Sequence, residues 1–447
     1  MTLGWAVVSA AVLAASLALP LALGPHAAGA AHSATPTATR APRSATPTAS
    51  PTPDTRPTGL FDGVRMDPAR YQHMLGLRPL AVVIDNLLEA RPQYGLGEAD
   101  QVWEAVVEGG ITRLMAVYWR GEPPRVEPVR SARVPFVDWA AGMGAVLVHA
   151  GSADDPGAAN VPARLRETGV VNGELFLLPP AYHRDPDRFA PHNVYTSPDE
   201  VRAALGSRAD WSGAELNPWR FADGAPAASG PGVDVWFDGR DSRFGRVTWA
   251  YDGTTGEYVR TGRGVLEVDA LTGRPLRAAN VLVVKIPGSV VDRAGHFVYQ
   301  TVGSGGAVLL RDGEVLRGTW RMPALGEPLR VYGADGRQLT FARGTTWVEV
   351  VPQSGGWTLG SYPVPELTPT PYVPVPPVSV APAGPSATPT PSATVTPPPR
   401  TATPAPSRTP SPTAAVTQTP SATPTPSVTR TASPTAQPLP PTATRTP

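Results

Sequence analysis

Two tracts rich in proline and threonine, one near each end, limit where this chain can fold. Residues 32–58 and 363–447 consist largely of Thr, Pro, Ala and Ser. This composition cannot bury enough apolar surface to offset the entropy lost on ordering, so we expect a disordered linker and a disordered tail. The remaining stretch of about 300 residues is long enough for two ordinary domains, which we predict at residues 59–212 and 213–362.

An apolar segment precedes the first tract. Trp5–Leu23 carries no charge and is long enough to cross a bilayer. Ala28-Gly29-Ala30 follows it and suits signal peptidase. We therefore expect residues 1–31 to be a signal peptide or an uncleaved membrane anchor, and the protein to be extracytoplasmic, either secreted or held at the cell membrane. The tail is then a spacer, a glycosylated stalk or a wall-associated segment.

Cysteine content and net charge exclude several classes of function. The chain has no cysteine, which rules out disulfides, thiolate metal sites, a cysteine nucleophile and lipid attachment to cysteine. Its formal net charge is +1, so no overall field favours nucleic acid, and we expect no such partner. The sequence also lacks Gly-x-Ser-x-Gly and His-Glu-x-x-His motifs.

The stretch from Leu80 to Arg133 combines apolar runs with acids and arginines more densely than any other. Leu80–Ile84 has the pattern of a buried strand that ends in polar residues. Residues 100–107 and 111–119 predict a hairpin around Glu108-Gly109-Gly110, which would bring Glu104 and Glu108 near Arg113. Further strands follow, with short helices predicted at residues 134–141, 160–168 and 197–205, the last of them capped by Ser197 with Pro198 in its first turn. We therefore predict an α/β or α+β domain.

The sequence pattern changes after residue 233. Short β-rich runs alternate with Asp-Gly and Thr-Gly turns such as Asp252-Gly253 and Asp312-Gly313. These are hairpin signals and predict a mostly antiparallel β domain. Thr301–Gly306 resembles a phosphate loop only in composition, and we predict a glycine-lined β turn there.

Polar residues at the predicted strand ends form the candidate site. They are Asp85, Asn86, Arg91, Glu104, Glu108, Arg113, Arg130, Ser131, Arg133, His149, His192 and Asn193. Arg113, Arg130 and Arg133 suit recognition of a carboxylate or phosphate, because the guanidinium fork matches both. A binding module for an anionic small molecule or cell-wall fragment is the interpretation that we favour.

Two other interpretations stay open. Asp85, Glu104 or Glu108 could act with His149 or His192 as the acid–base pair of a hydrolase or lyase. Alternatively, the polar set could be a structural network in a structural or protein-interaction module. A metal held by Asp85, His149 and His192 matches no known ligand spacing, so we expect neither a metal nor a cofactor.

Several short motifs resemble the YerB family, bacterial envelope proteins that carry the DUF3048 domains of unknown function. They are Ile84-Asp85-Asn86, Arg91-Pro92-Gln93, Glu108-Gly109-Gly110-Ile111-Thr112-Arg113, Pro128-Val129-Arg130-Ser131-Ala132-Arg133, His149-Ala150-Gly151-Ser152 and His192-Asn193-Val194-Tyr195. The resemblance implies a secreted or membrane-tethered protein with two adjacent domains. It implies no established activity, so it assigns no catalytic residue. The family is often described as lipoproteins, but this chain lacks the cysteine that a lipid anchor requires.

Overall fold

A computed structural model of the protein describes residues 54–211, 219–238 and 245–366. The expected signal or anchor segment, most of the linker and nearly all of the tail lie outside these residues. The helices described are α1 (Pro68–Leu75), α2 (Val134–Gly142), α3 (Val161–Thr168) and α4 (Pro198–Leu205). None of them is long and apolar enough to span a membrane.

Strands make up most of the regular secondary structure in the described residues. In chain order they are β1 (Leu80–Asp85), β2 (Gln101–Val106), β3 (Thr112–Tyr118), β4 (Val146–His149), β5 (Val171–Glu174), β6 (His183–Arg184), β7 (Val194–Tyr195), β8 (Arg220–Ala222), β9 (Gly232–Trp236), β10 (Arg246–Asp252), β11 (Glu257–Gly262), β12 (Val265–Leu266), β13 (Arg277–Ala278), β14 (Asn280–Lys285), β15 (Gly288–Val290), β16 (Phe297–Tyr299), β17 (Gly303–Arg311), β18 (Glu314–Met322), β19 (Arg330–Tyr332), β20 (Thr340–Ala342), β21 (Thr346–Val351) and β22 (Gly356–Gly360). The predicted fold class is confirmed, because helices mix with strands up to α4 and mostly antiparallel strands follow.

One large sheet contains strands from both predicted domains. Its ten strands are ordered β19-β18-β17-β14-β21-β2-β3-β1-β4-β5. The two halves join where β2 and β21 pair in parallel, from Gln101 opposite Thr346 to Ala105 opposite Val350. The division at residue 212 stays a prediction, but the two segments share this sheet.

A second sheet covers one face of the first. It is ordered β12-β11-β10-β9-β22, with β13 also paired to β11. The central strands β1, β2, β3 and β21 are buried along their whole length, which requires cover on both faces. Trp103 of β2 stacks on Trp139 of α2 at 5.1 Å between ring centroids. On the other face Trp347 of β21 meets Trp249 of the second sheet at 5.2 Å.

Helix ends follow the sequence signals. Pro135, Pro162 and Pro198 lie in the first turns of α2, α3 and α4, where the missing N–H has no intrahelical partner to lose. Ser197 caps α4 by accepting a hydrogen bond from the Glu200 amide at 3.3 Å. The predicted helices at residues 134–141, 160–168 and 197–205 are therefore confirmed to within a residue or two.

The turn predicted at Thr301–Gly306 is wrong. Residues 303–311 form strand β17, which pairs antiparallel with β18. Glycine is needed there because a Cβ on Gly305 would lie 2.7 Å from the Trp320 indole nitrogen and 2.8 Å from the Lys285 carbonyl oxygen. The glycines therefore let a strand pass close to a tryptophan instead of reversing the chain.

Candidate functional site

The end of strand β1 sends two consecutive polar side chains to opposite faces of the large sheet. Side chains alternate along a strand. Asp85 is paired with Arg113 of β3 and shares its face, whereas Asn86 contacts Glu104 on the face covered by the second sheet. The expected proximity of Glu104 to Arg113 is wrong for the same reason, because Glu104 lies opposite Leu114.

On the first face Asp85 anchors a histidine and an arginine. His192 Nδ1 lies 2.7 Å from Asp85 Oδ2, and Arg130 Nε lies 2.9 Å from the same oxygen. Asp85 is only 2% exposed. Arg130 belongs to an extended segment whose backbone bonds to Val83 on one side and Ala150 on the other. The backbone bonds thus fix the position of the Arg130 backbone, and the Asp85 carboxylate fixes the direction of the Arg130 side chain.

Glu108 occupies the other two arginines of the set. Its carboxylate accepts a bond from Arg113 Nη2 at 2.8 Å and two from Arg133 at 2.8 Å. Burial lowers the pKa of Arg113 to about 10, helped by the positive charge of Arg133. Burial also tends to raise the pKa of Glu108, but the two arginines outweigh it and hold that pKa below the ordinary value. Arg113 and Glu108 are therefore charged near neutral pH, and Glu108 already pairs with both Arg113 and Arg133.

Arg130 faces a small pocket, which we call the strand-end pocket. It has a volume of about 160 Å³ and is lined by Val129, Arg130, Ala150, Gly151, Leu175, Phe176, Arg184, Pro191 and Val194. Its charged lining residues are the two arginines. Arg184 Nη1 donates to the Asn193 side-chain oxygen at 2.9 Å, and in the described part of the chain it pairs with no carboxylate. The nearby acid Glu174 accepts bonds from the backbone amides of Gly151 and Phe176.

His149 and Ser131 serve the backbone around this pocket. The ring nitrogens of His149 lie 2.8 Å from the Gly151 carbonyl oxygen and 2.9 Å from the Asn172 side-chain oxygen, and burial lowers its pKa. Ser131 Oγ donates to the Ala150 carbonyl at 3.1 Å. Within the described ranges no three His, Asp or Glu side chains are arranged to hold a metal ion, and His149 does not join Asp85 and His192.

The second face holds a buried charge network centred on Arg260 of β11. This arginine donates to Glu104 at 2.6 Å, to Glu267 at 2.7 Å and to Glu349 at 3.0 Å. It is fully buried, and its guanidinium lies 4.3 Å from the Trp347 ring centroid. Burial disfavours its charge, but the carboxylates outweigh burial and raise its pKa. The network ties the second sheet to the first.

Arg91 and Asn86 extend this network toward the surface. Arg91 pairs with Glu267 and donates to the Asn86 side-chain oxygen at 3.0 Å. Asn86 in turn donates to Glu104 and to Thr112. Of the predicted set, Asn86, Arg91 and Glu104 therefore belong to the network and not to the strand-end pocket.

Sequence reasoning missed four functional candidates. They are Arg184, Arg260, Glu267 and Glu349. Glu349 carried a usable signal, because it is the single acid in the apolar strand pattern of β21. An ionisable side chain in a fully buried strand needs a hydrogen-bond or ion-pair partner. Arg260 carried the same signal more weakly, and nothing local distinguished Arg184.

Comparison with known proteins matches the described regions to one family. The model of "Protein of unknown function (DUF3048) N-terminal domain" matches residues 68–212, and that of the corresponding C-terminal domain matches residues 234–348. The Bacillus subtilis (strain 168) protein named "Putative lipoprotein YerB" is 34% identical over 280 residues, which cover 62% of this chain and 81% of that protein. The crystal structure of YerB from Bacillus subtilis covers 67% of this chain and 99% of its own, with 29% identity and a TM-score of 0.59.

Proposed function

We propose that this chain, which belongs to the DUF3048 family, is an extracytoplasmic protein of the cell envelope that binds an anionic ligand in the strand-end pocket. Its similarity to a protein named as a lipoprotein supports the location. The apolar segment Trp5–Leu23, followed by small residues, supports export.

The binding proposal rests on the exposure and the contacts of the Arg130 side chain. Its side chain is 22% exposed, and Asp85 holds it from the Nε side. In the described residues no hydrogen bond engages its terminal nitrogens, and Arg184 lines the same pocket without an acidic partner. Arg113 and Arg133 share Glu108 and do not line the pocket, so the positive charge that faces a ligand there lies on Arg184 and on Arg130, whose charge Asp85 partly neutralises. Two arginines beside backbone and apolar groups suit a carboxylate or phosphate.

The size of the pocket restricts what enters it. About 160 Å³ is smaller than the roughly 300–1,000 Å³ of typical small-molecule sites. The pocket therefore suits the anionic group of a ligand, while the rest of the molecule lies outside against Phe176, which is 78% exposed. An anionic wall fragment or a sugar phosphate combines a small anionic group with a larger remainder in this way.

Calorimetric titration with inorganic phosphate and a hexose phosphate tests the proposal, with glucose as the uncharged control. Arg130→Gln and Arg184→Gln should each weaken anion binding about tenfold or more, since a charge-assisted hydrogen bond contributes roughly 1.5–3 kcal/mol. Arg317→Gln, at an exposed arginine of β18, should leave binding unchanged. Equal affinity in the double variant and the wild type would contradict the assignment.

A hydrolase or lyase is the second candidate, and the Asp85–His192 contact favours it. A buried carboxylate 2.7 Å from an imidazole nitrogen can orient the ring as a general base. The neighbouring Pro191 lines the strand-end pocket, so the pair lies beside the anion site. In the described part of the chain no hydroxyl bonds to His192, so the base would activate water or remove a proton from the ligand.

Release of nitrophenolate from nitrophenyl phosphate and nitrophenyl acetate would test this chemistry. The wild type should exceed His192→Gln and Asp85→Asn in rate, and the phosphate ester should lose more than the acetate in Arg130→Gln. Identical rates for the wild type and His192→Gln would exclude hydrolysis of these esters by this pair.

A further inference from the structure

We propose a second binding site, independent of the first, that takes the hydrocarbon chain of a small anionic amphiphile. It is a cleft of about 550 Å³ between the loop after β1 and the β11–β12 hairpin. We call it the apolar cleft. Leu88 and Pro92 form one wall, and Val265, Leu266 and Val268 form the other.

Both walls of the cleft expose apolar side chains to solvent, and the local structure gives no reason for this exposure. Leu88 is 54% exposed and Val265 is 68% exposed. The hairpin that presents Val265 turns through Arg263 and Gly264, both with positive φ, at 53° and 77°. A two-residue turn of this kind fixes the register of the strands it joins. The side chain of Val265 is therefore held over the cleft by a tight, defined turn.

The lining decides between kinds of apolar ligand. Among the described residues that line the cleft, none is aromatic. A nucleobase or other flat ring would be expected to find a stacking partner in its site, whereas an aliphatic chain needs only aliphatic walls. The volume lies within the range of roughly 300–1,000 Å³ that small-molecule sites occupy.

The charges at the cleft set the sign of the head group. Glu267 is the acid of the lining, and Arg91 and Arg260 both bind its carboxylate. These arginines hold its pKa below the ordinary value, although burial tends to raise it. Arg263 lies at the turn, is exposed and has no carboxylate partner in the described residues. The mouth of the cleft therefore carries surplus positive charge, which fits a carboxylate or phosphate head.

Binding of dansylaminoundecanoic acid, followed by the blue shift of its emission, tests the cleft in the full protein. Val265→Asp and Leu88→Asp should weaken binding by about tenfold or more, because a charge in an aliphatic wall must be desolvated by the chain. Both positions are exposed, so the melting temperature should not change. Val290→Asp is the matched control, since Val290 is 59% exposed and lies outside the cleft.

Competition experiments separate the contribution of the ligand's charged head group to binding from that of its hydrocarbon chain. Dodecanoate and dodecanol should both displace the probe, and Arg263→Gln should weaken only dodecanoate, by about fivefold. Arg130→Gln should change neither competitor, which separates this site from the strand-end pocket. Absence of probe binding, or equal binding in Val265→Asp and Val290→Asp, would overturn the proposal. So would a dimer that Val265→Asp dissociates without any effect of the probe.

Discussion

Replacing Glu349 with glutamine should make the folded protein more resistant to rising pH. Glu349 Oε1 accepts bonds from Trp249 at 2.7 Å and Arg260 at 3.0 Å. Its other oxygen is buried without a hydrogen-bond partner in the described structure. Burial, assisted by the adjacent negative charge of Glu104, raises the pKa of Glu349 to about 8. At neutral pH this side chain is therefore mostly protonated, and glutamine closely matches its shape and its lack of charge.

Proton binding gives the sign and the size of the effect. The ordinary glutamate pKa is 4.5, so between about pH 4.5 and 8 the folded chain holds a proton that the unfolded chain has released. Stability from this group therefore falls as pH rises through that window, by about 1.4 kcal/mol per pH unit. Glutamine cannot ionise, so from about pH 5.5 to 7.5 Glu349→Gln should gain about 2–3 kcal/mol relative to the wild type.

Urea unfolding followed by tryptophan fluorescence at several pH values measures this difference. Comparing variant with wild type at each pH cancels the titration of the other groups. Glu104→Gln is the matched control, because Glu104 accepts bonds from Asn86, Thr112 and Arg260. That change should destabilise the protein at every pH measured. A difference between Glu349→Gln and wild type that does not change with pH would refute the reasoning.

Three further substitutions test the packing and charge arguments by equilibrium unfolding. Arg260→Met leaves its carboxylates buried around an apolar side chain, and we expect a loss of about 3–5 kcal/mol. Glu108→Gln leaves the buried guanidinium of Arg113 without its acid, and we expect a loss of about 3 kcal/mol with no anion present; an unchanged midpoint would remove the structural role given to this pair. Gly305→Ala should cost about 1–3 kcal/mol through its close contacts, whereas Gly306→Ala, with nothing within 4 Å of its Cβ, should cost nothing.

Local elements were predictable from the sequence because their signals are local. The hairpin of β2 and β3 follows from alternation on both sides of Glu108-Gly109-Gly110, and α4 follows from Ser197 and Pro198. The pairing of β2 with β21 has no such signal. Periodicity identifies each as a strand but cannot choose partners that lie at opposite ends of the folded region.

The sequence predicted polar residues of the candidate site, but it did not predict that they separate onto two faces of the sheet. Strand-end polar residues do gather, as expected, but Asp85 and Asn86 separate because a strand alternates its faces. Glu104 then depends on Arg260, a residue of the second sheet that no motif near Glu104 indicates. The apolar cleft was equally hidden, since its walls come from residues 88–93 and 262–268, which only the tertiary fold brings together.

The position of β21 also has a consequence for how the chain matures. This strand lies near the middle of the ten-stranded sheet, between β2 and β14, yet among the described strands only β22 follows it along the chain. A polypeptide that emerges N-terminus first therefore holds β2 with an open edge until residue 351 has followed. Open strand edges invite pairing with other chains, and pairing over such a long separation is slow. Truncated or stalled chains should therefore be the species that aggregate, and the finished chain should be the species that folds.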